Sequence, residues 1–182
     1  MTIENMNRPE SDEELDRILK KAYDYACKSD YPKALEICEW LIQDKSTEIA
    51  GYRERAAVRE HMRDFDGAIC DLQRVVSDSP IESADFYGLG LLQLGQGLTI
   101  EATASFTKAI ELGDEAGFEY YTKGSLLFRA EAYLKQCDYE NAIRDCSALP
   151  AGYNTYMGGA SGMRSRENIL DEANAALKSK QR

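Results

Sequence analysis

Four alanines constrain this chain more than any other residues. Ala34, Ala68, Ala102 and Ala142 stand 34, 34 and 40 residues apart, and each closes the same short phrase. The phrases are Asp30-Tyr31-Pro32-Lys33-Ala34, Asp64-Phe65-Asp66-Gly67-Ala68, Leu98-Thr99-Ile100-Glu101-Ala102 and Asp138-Tyr139-Glu140-Asn141-Ala142. Each opens on a turn, passes an aromatic or apolar residue, reaches a small one and runs on into an apolar helical face. A 34-residue period with one six-residue insertion before the last copy belongs to stacked helix-turn-helix units, each burying its apolar stripe against its neighbours. The spacing predicts an all-α chain of about four such repeats.

Local signals place the elements. Residues 1–10 lack periodicity and read as a mobile N-terminal arm; residues 11–150 divide into repeats at about 11–45, 46–78, 79–113 and 114–150. Ser11 with Glu14 has the form of a capping box, and Ser79-Pro80-Ile81-Glu82 reads as another helix start. Asp30 and Asp64 suit the caps of second helices. Gly95-Gln96-Gly97-Leu98 lacks that aspartate and carries two glycines, which predicts the loosest turn. Gly113 reads as a helix end, and the insertion Asp114–Thr122 as an extension of the next first helix, from about Ala116 to Lys135. Residues 151–164, rich in glycine, read as a connector; residues 165–182 read as a capping helix, started by Ser165, and a tail.

The copies Tyr52…Arg55-Ala56…Phe65…Ala68…Leu72…Val75…Pro80 and Phe86…Leu89-Gly90…Ala102…Phe106…Ala109 resemble the tetratricopeptide repeat (TPR) family. The resemblance spans roughly Glu13 to Pro150. It implies a right-handed solenoid with a C-terminal capping helix, and a function in binding proteins or peptides. It also implies that the first helix of each repeat lines a concave groove. The slots so implied hold Leu19, Lys20, Tyr23, Arg53, Glu54, Ala57, His61, Tyr87, Leu91, Leu127, Phe128 and Glu131. Tyr23, Arg53 and Tyr87 are the favoured contacts, since tyrosine and arginine concentrate interface energy, although Tyr23 and Tyr87 could equally pack between repeats. Trp40 reads either as a contact or as a residue covered by the N-terminal arm. Some members of the family grip the C-terminal carboxylate of chaperones; the corresponding slots here hold Leu19, Tyr23, Glu54, Ala84 and Gly88, so that clamp is absent.

Chemistry narrows the function further. With 22 Lys plus Arg against 32 Asp plus Glu, the net charge is −10, which disfavours nucleic acid as a partner and favours a basic protein. The N-terminus has no basic start or apolar run, and no stretch has membrane-spanning length, which predicts a cytoplasmic protein without a membrane partner. Five cysteines without a C-x-x-C pair suggest neither a disulfide framework nor zinc; Cys38 and Cys146 read as buried thiols and Cys137 as an exposed one. His61 is the lone histidine, so no His-based relay or histidine metal site is supplied, and no enzyme activity, cofactor or metal is expected. Gly158 to Arg164 resembles a phosphate loop only loosely, lacking the Walker lysine. Tyr153, Tyr156 and Met157 are residues of the kind that anchor interfaces. Together these features predict a partner-binding surface that includes Tyr23, Arg53, Glu54, His61, Tyr87, Phe128, Glu131, Tyr153 and Tyr156. A small acidic binder of this kind fits the cytoplasmic neutraliser, or immunity protein, of a basic bacterial toxin; a general adaptor or chaperone-like assembly factor is the alternative. Oligomeric state is left open.

Overall fold

A computed structural model of the chain describes residues 7–78, 82–117, 119–157 and 162–180. The readings made above for Met1 to Met6, for Ser79-Pro80-Ile81, for Phe118, for Gly158 to Ser161 and for the last two residues lie outside the described residues. Among the described residues there are nine helices and one two-stranded hairpin, and the chain forms two compact units, Met1–Ile81 and Glu82–Arg182.

The first unit holds α1 (Asp12–Cys27), α2 (Tyr31–Ile42), α3 (Glu48–His61) and α4 (Phe65–Ser77), each packed on the next, with α1 also touching α3. Ser11 starts α1 by accepting the Glu14 N–H on its hydroxyl. Ala22, Ala26, Ala34, Ile37, Cys38, Leu41 and Val58 form the core. Two alanines there, Ala22 and Ala34, are wholly inaccessible, as close helix crossing requires. The start of the chain is not a free arm throughout: the Arg8 guanidinium lies 4.2 Å from the Trp40 ring centroid and donates to the Trp40 carbonyl. Trp40 is thus covered by the residues that precede α1.

The second unit holds α5 (Ser83–Gly95), α6 (Thr99–Ala116), α7 (Glu119–Lys135), α8 (Tyr139–Ser147) and α9 (Arg166–Lys180), again packed in sequence, with α5 touching α7 and α7 touching α9. The start of α5 differs from expectation: Glu82 is its N-cap, in a reciprocal box with Asp85, so the helix begins at Ser83. The end of α6 differs too. The helix runs through Gly113, which is buried, and stops only at Gly117, whose φ of 73° is the left-handed conformation glycine adopts without strain. The insertion is therefore divided between a longer α6 and the start of α7.

Between α8 and α9 lies a further departure. The connector contains β1 (Asn154–Tyr156) and β2 (Met163–Ser165), antiparallel, with Asn154 opposite Ser165, Thr155 opposite Arg164 and Tyr156 opposite Met163. Ser165 then caps α9: its hydroxyl accepts the Asn168 N–H at 3.1 Å while the Asn168 side chain accepts the Ser165 N–H at 3.0 Å. Ile169 and Ala173 of α9 close the core made by Leu127, Ala130, Ala142, Cys146 and Leu149.

The four turns inside the repeats share one geometry. Ser29, Arg63, Gly97 and Cys137 all take positive φ, at 60°, 63°, 77° and 60°. In each case the next amide, of Asp30, Asp64, Leu98 or Asp138, reaches back five residues to a helix carbonyl at 2.8–2.9 Å. The glycine turn is thus no looser than the others in its bonding. It is the one place where the required conformation carries no steric penalty.

Candidate functional site

The cysteines and the histidine divide by environment. Cys38 and Cys146 are buried, and burial pushes each thiol up to about 12, so both stay protonated and inert near neutrality. His61 is exposed at the end of α3, where its ring meets the edge of Tyr23 with centroids 6.0 Å apart. Among the described residues no three His, Cys, Asp or Glu side chains converge on a metal position.

The face of α1 and α3 gathers the first set of expected contacts. Tyr23 is 49% exposed. Its hydroxyl ionises later than an ordinary phenol because the Cys27 thiol hydrogen-bonds it, with smaller contributions from burial and from the charges of Asp24 and Glu54. Arg53 and Glu54 are half-buried on α3. Glu54 is unusual: its Oε1 is shut off from water without a hydrogen-bond partner, and burial pushes the carboxyl up from its usual range. Tyr23, His61 and Glu54 are brought together here by helix spacing, since Glu54 and His61 lie two turns apart on one helix.

The second set, on α5 and α7, divides. Tyr87 is a half-buried hub whose ring lies 5.5 Å from Tyr121, 5.9 Å from Phe128, and 6.3 Å from both Phe106 and Tyr120. Burial first, then the neighbouring tyrosines, hold its hydroxyl neutral. Gly124 makes room for it; a Cβ there would stand 3.0 Å from the Tyr87 ring. Phe128 and Leu127 are buried, and Phe128 stacks on Phe106 at 5.8 Å, so both serve packing and neither offers a free contact surface. Glu131 is also buried, 5% exposed, with its Oε2 accepting from Arg164 Nε at 3.0 Å and Nη2 at 2.7 Å. The physical reason is the hairpin. Met157 packs with Tyr87, Leu91 and Leu94 against the Phe106 and Phe128 cluster, while Tyr153 and Met157 also pack on the Leu127 cluster.

The sequence reading missed Arg164. Its guanidinium also binds Glu172 on α9, so a residue of the supposed phosphate loop is committed to two carboxylates. The available signal was the strand-prone run Thr155-Tyr156-Met157, followed after glycines by Met163-Arg164. Alternation then assigns the faces: Tyr153, Thr155 and Met157 are half-buried, while Asn154 and Tyr156 are exposed, Tyr156 by 64% and its cross-strand neighbour Met163 by 60%.

With helices packed in sequence within each unit, comparison with solved structures decides the fold. The chain superposes on MamA with a TM-score of 0.59 at 16% identity, over 92% of this chain and 80% of that one. It superposes on the nearly identical TPR-like repeats of a Podosopora anserina protein with a TM-score of 0.66 at 16% identity, over 95% of this chain and 91% of that one. The fold is TPR-like. No protein-family model matches the sequence, and no curated protein matches it. No helix among the described residues is long and apolar enough to cross a membrane.

Proposed function

We infer that this chain is a non-enzymatic protein-interaction module that receives a basic segment of a protein partner on the face of α1 and α3. The observation that carries this is the Glu54 carboxylate, whose Oε1 is buried with no donor. A carboxyl raised by burial works against folding at neutral pH. Its folded-state pKa lies above the unfolded value, so the native state holds the proton longer, and stability falls as pH rises through that window. A lysine or arginine brought by a partner would supply the missing donor once the half-buried Glu54 side chain rotates toward it. Tyr23 and His61 offer aromatic surface beside it, and the net charge of −10 attracts a basic molecule from a distance.

The finer reading is a cytoplasmic immunity protein that neutralises a basic bacterial toxin, supported by the net charge of −10. The alternative, a general adaptor or assembly factor, is supported by the fold. Association kinetics with the purified partner separate them. Raising salt from about 0.05 to 0.5 M shortens screening from roughly 14 to 4 Å, so association with a basic partner should slow far more than dissociation changes. Salt-indifferent association removes the toxin reading and leaves the adaptor. Glu54→Gln should raise the melting temperature of the free protein and weaken the complex; a variant that does neither would show that Glu54 is not the anchor.

A further inference from the structure

The face made by α5 and α7 already holds a piece of extended chain. Just after β1, Met157 packs on the buried cluster of Ala102, Phe106 and Phe128, against which Tyr87, Leu91 and Leu94 also pack. The strand β2 lays the Arg164 guanidinium on the buried Glu131 carboxylate, with Lys135 at 3.4 Å from its other oxygen. The receiving surface thus has two features: an apolar patch that takes one methionine, and a desolvated carboxylate that takes one guanidinium. Each constrains what can sit there: Arg164 gives one Glu131 oxygen two charge-assisted hydrogen bonds, which Lys135, 3.4 Å from the other oxygen, does not replace.

The occupant is weakly built on its own. Its strands have three residues each, and an isolated two-stranded hairpin is marginal in water. Docking therefore holds the hairpin, through Met157, Tyr153 and Arg164. The core beneath is made of Leu127, Ala130, Ala142 and Cys146 with Ile169 and Ala173 of α9 and Leu149 just after α8, and Tyr153 and Met157 pack against it from the hairpin side. Opening the hairpin would uncover the patch and Glu131 without dismantling that core.

We propose that the α5–α7 face is a receptor for an extended protein segment carrying a methionine-sized apolar side chain and an arginine, and that the β1–β2 hairpin is its resident internal ligand. A partner segment of that chemistry and the docked hairpin exclude one another. The identity of the competitor rests on reading the chain as a protein-binding module; the docking itself does not. It also differs from the Glu54 face in position and in what it recognises.

Hydrogen exchange on the full chain tests the docking first. The Met157 amide is bonded to the Gly162 carbonyl and the Arg166 amide to the Tyr153 carbonyl, so both report hairpin opening. In the unmodified chain they should exchange at least tenfold faster than the amides of Ala142 and Cys146; equal rates would mean the hairpin never opens by itself and would overturn the proposal. Arg164→Ala should speed the same two amides at least tenfold further while Ala142 and Cys146 stay protected. A fluorescein-labelled peptide of residues 153–166 should bind this variant at least tenfold more tightly than the unmodified chain, and a peptide with alanine in place of its arginine should not. Equal affinity for both proteins, or none for either, sinks the receptor. These results are independent of salt-dependent association, so this proposal and the basic-partner reading can fail separately.

Discussion

The α3–α4 pair and the α5–α6 pair occupy equivalent slots, 34 residues apart, and are locked by different chemistry. In α3–α4 the Asp71 carboxylate is 3% exposed and accepts from Arg55 Nε at 3.0 Å, Arg55 Nη2 at 2.7 Å and Arg59 Nη1 at 2.7 Å. The matching slots in α5–α6 hold Leu89, Gln93 and Ser105, and the ionic fork shrinks to one hydrogen bond, Ser105 Oγ to Gln93 Oε1 at 2.7 Å. The small slot changes in step: Ala56 and Leu72 stand 34 residues before Gly90 and Phe106, and Gly90 admits the Phe106 ring. The α7–α8 pair returns to the ionic form, Arg129 to Asp145 at 2.7 and 2.8 Å. The repeat thus tolerates either lock, provided that both helices change together.

The largest effect should come from breaking the ionic lock at one end. Asp71→Ala leaves two partly buried guanidinium groups without their carboxylate and should destabilise the protein by about 3–5 kcal/mol. Ser105→Ala removes one neutral bond and should cost about 1 kcal/mol. Urea denaturation of both variants measures the gap. Converting the whole set, Arg55→Leu with Arg59→Gln and Asp71→Ser, should recover most of the Asp71→Ala loss; a triple variant as unstable as the single one would mean that the locks are not interchangeable.

The packing lock gives the next effect. A Cβ on Gly90 would stand 2.7 Å from a Phe106 ring carbon. Alanine normally favours a helix over glycine by about 1 kcal/mol, so the sign of Gly90→Ala decides the matter. Overpacking of about 1–3 kcal/mol should prevail, giving a net loss in thermal stability, and Phe106→Leu in the same chain should restore the gain that alanine brings. A stabilised Gly90→Ala single variant would show that the ring simply moves.

Most of this architecture was legible because the repeat imposes it. The alanine spacing located Ala34, Ala68, Ala102 and Ala142, all fully buried, and the resemblance to the repeat family implied neighbouring slots for Tyr23, Glu54 and His61. What could not be read was chosen by tertiary contact. Phe128 and Glu131 stand in slots that the resemblance turns toward a groove; here Phe128 packs on Phe106 and Tyr87 as well as against Met157, and the hairpin's Arg164 pairs with Glu131. Glycine count suggested looseness for residues 151–164 because nothing local announces that Arg164 will find Glu131, 33 residues back. The end of α6 was misjudged for a related reason: Gly113 is accommodated inside the helix by packing, and the stop falls at Gly117, where a left-handed residue is needed.

The smallest effect concerns the turns, where the same comparison holds. Arg63 in the α3–α4 turn and Gly97 in the α5–α6 turn take nearly the same left-handed backbone, at φ 63° and 77°. For a residue with a Cβ that conformation is strained by about 1–2 kcal/mol, whereas glycine adopts it freely but loses about 0.4–1 kcal/mol more to unfolded-chain entropy. The difference leaves Arg63→Gly stabilising by about 0.5–1 kcal/mol. Gly97→Ala, with open space around the added carbon, should be destabilising by a similar amount. Calorimetric melting of the two variants tests the signs. Exchange of the following amides sharpens the point: Asp64 and Leu98 make the same backward bond, at 2.8 and 2.9 Å, so their protection should agree. If Leu98 exchanges much faster than Asp64, the freedom of Gly95 and Gly97 outweighs the shared bonding, and the α5–α6 turn is a hinge after all.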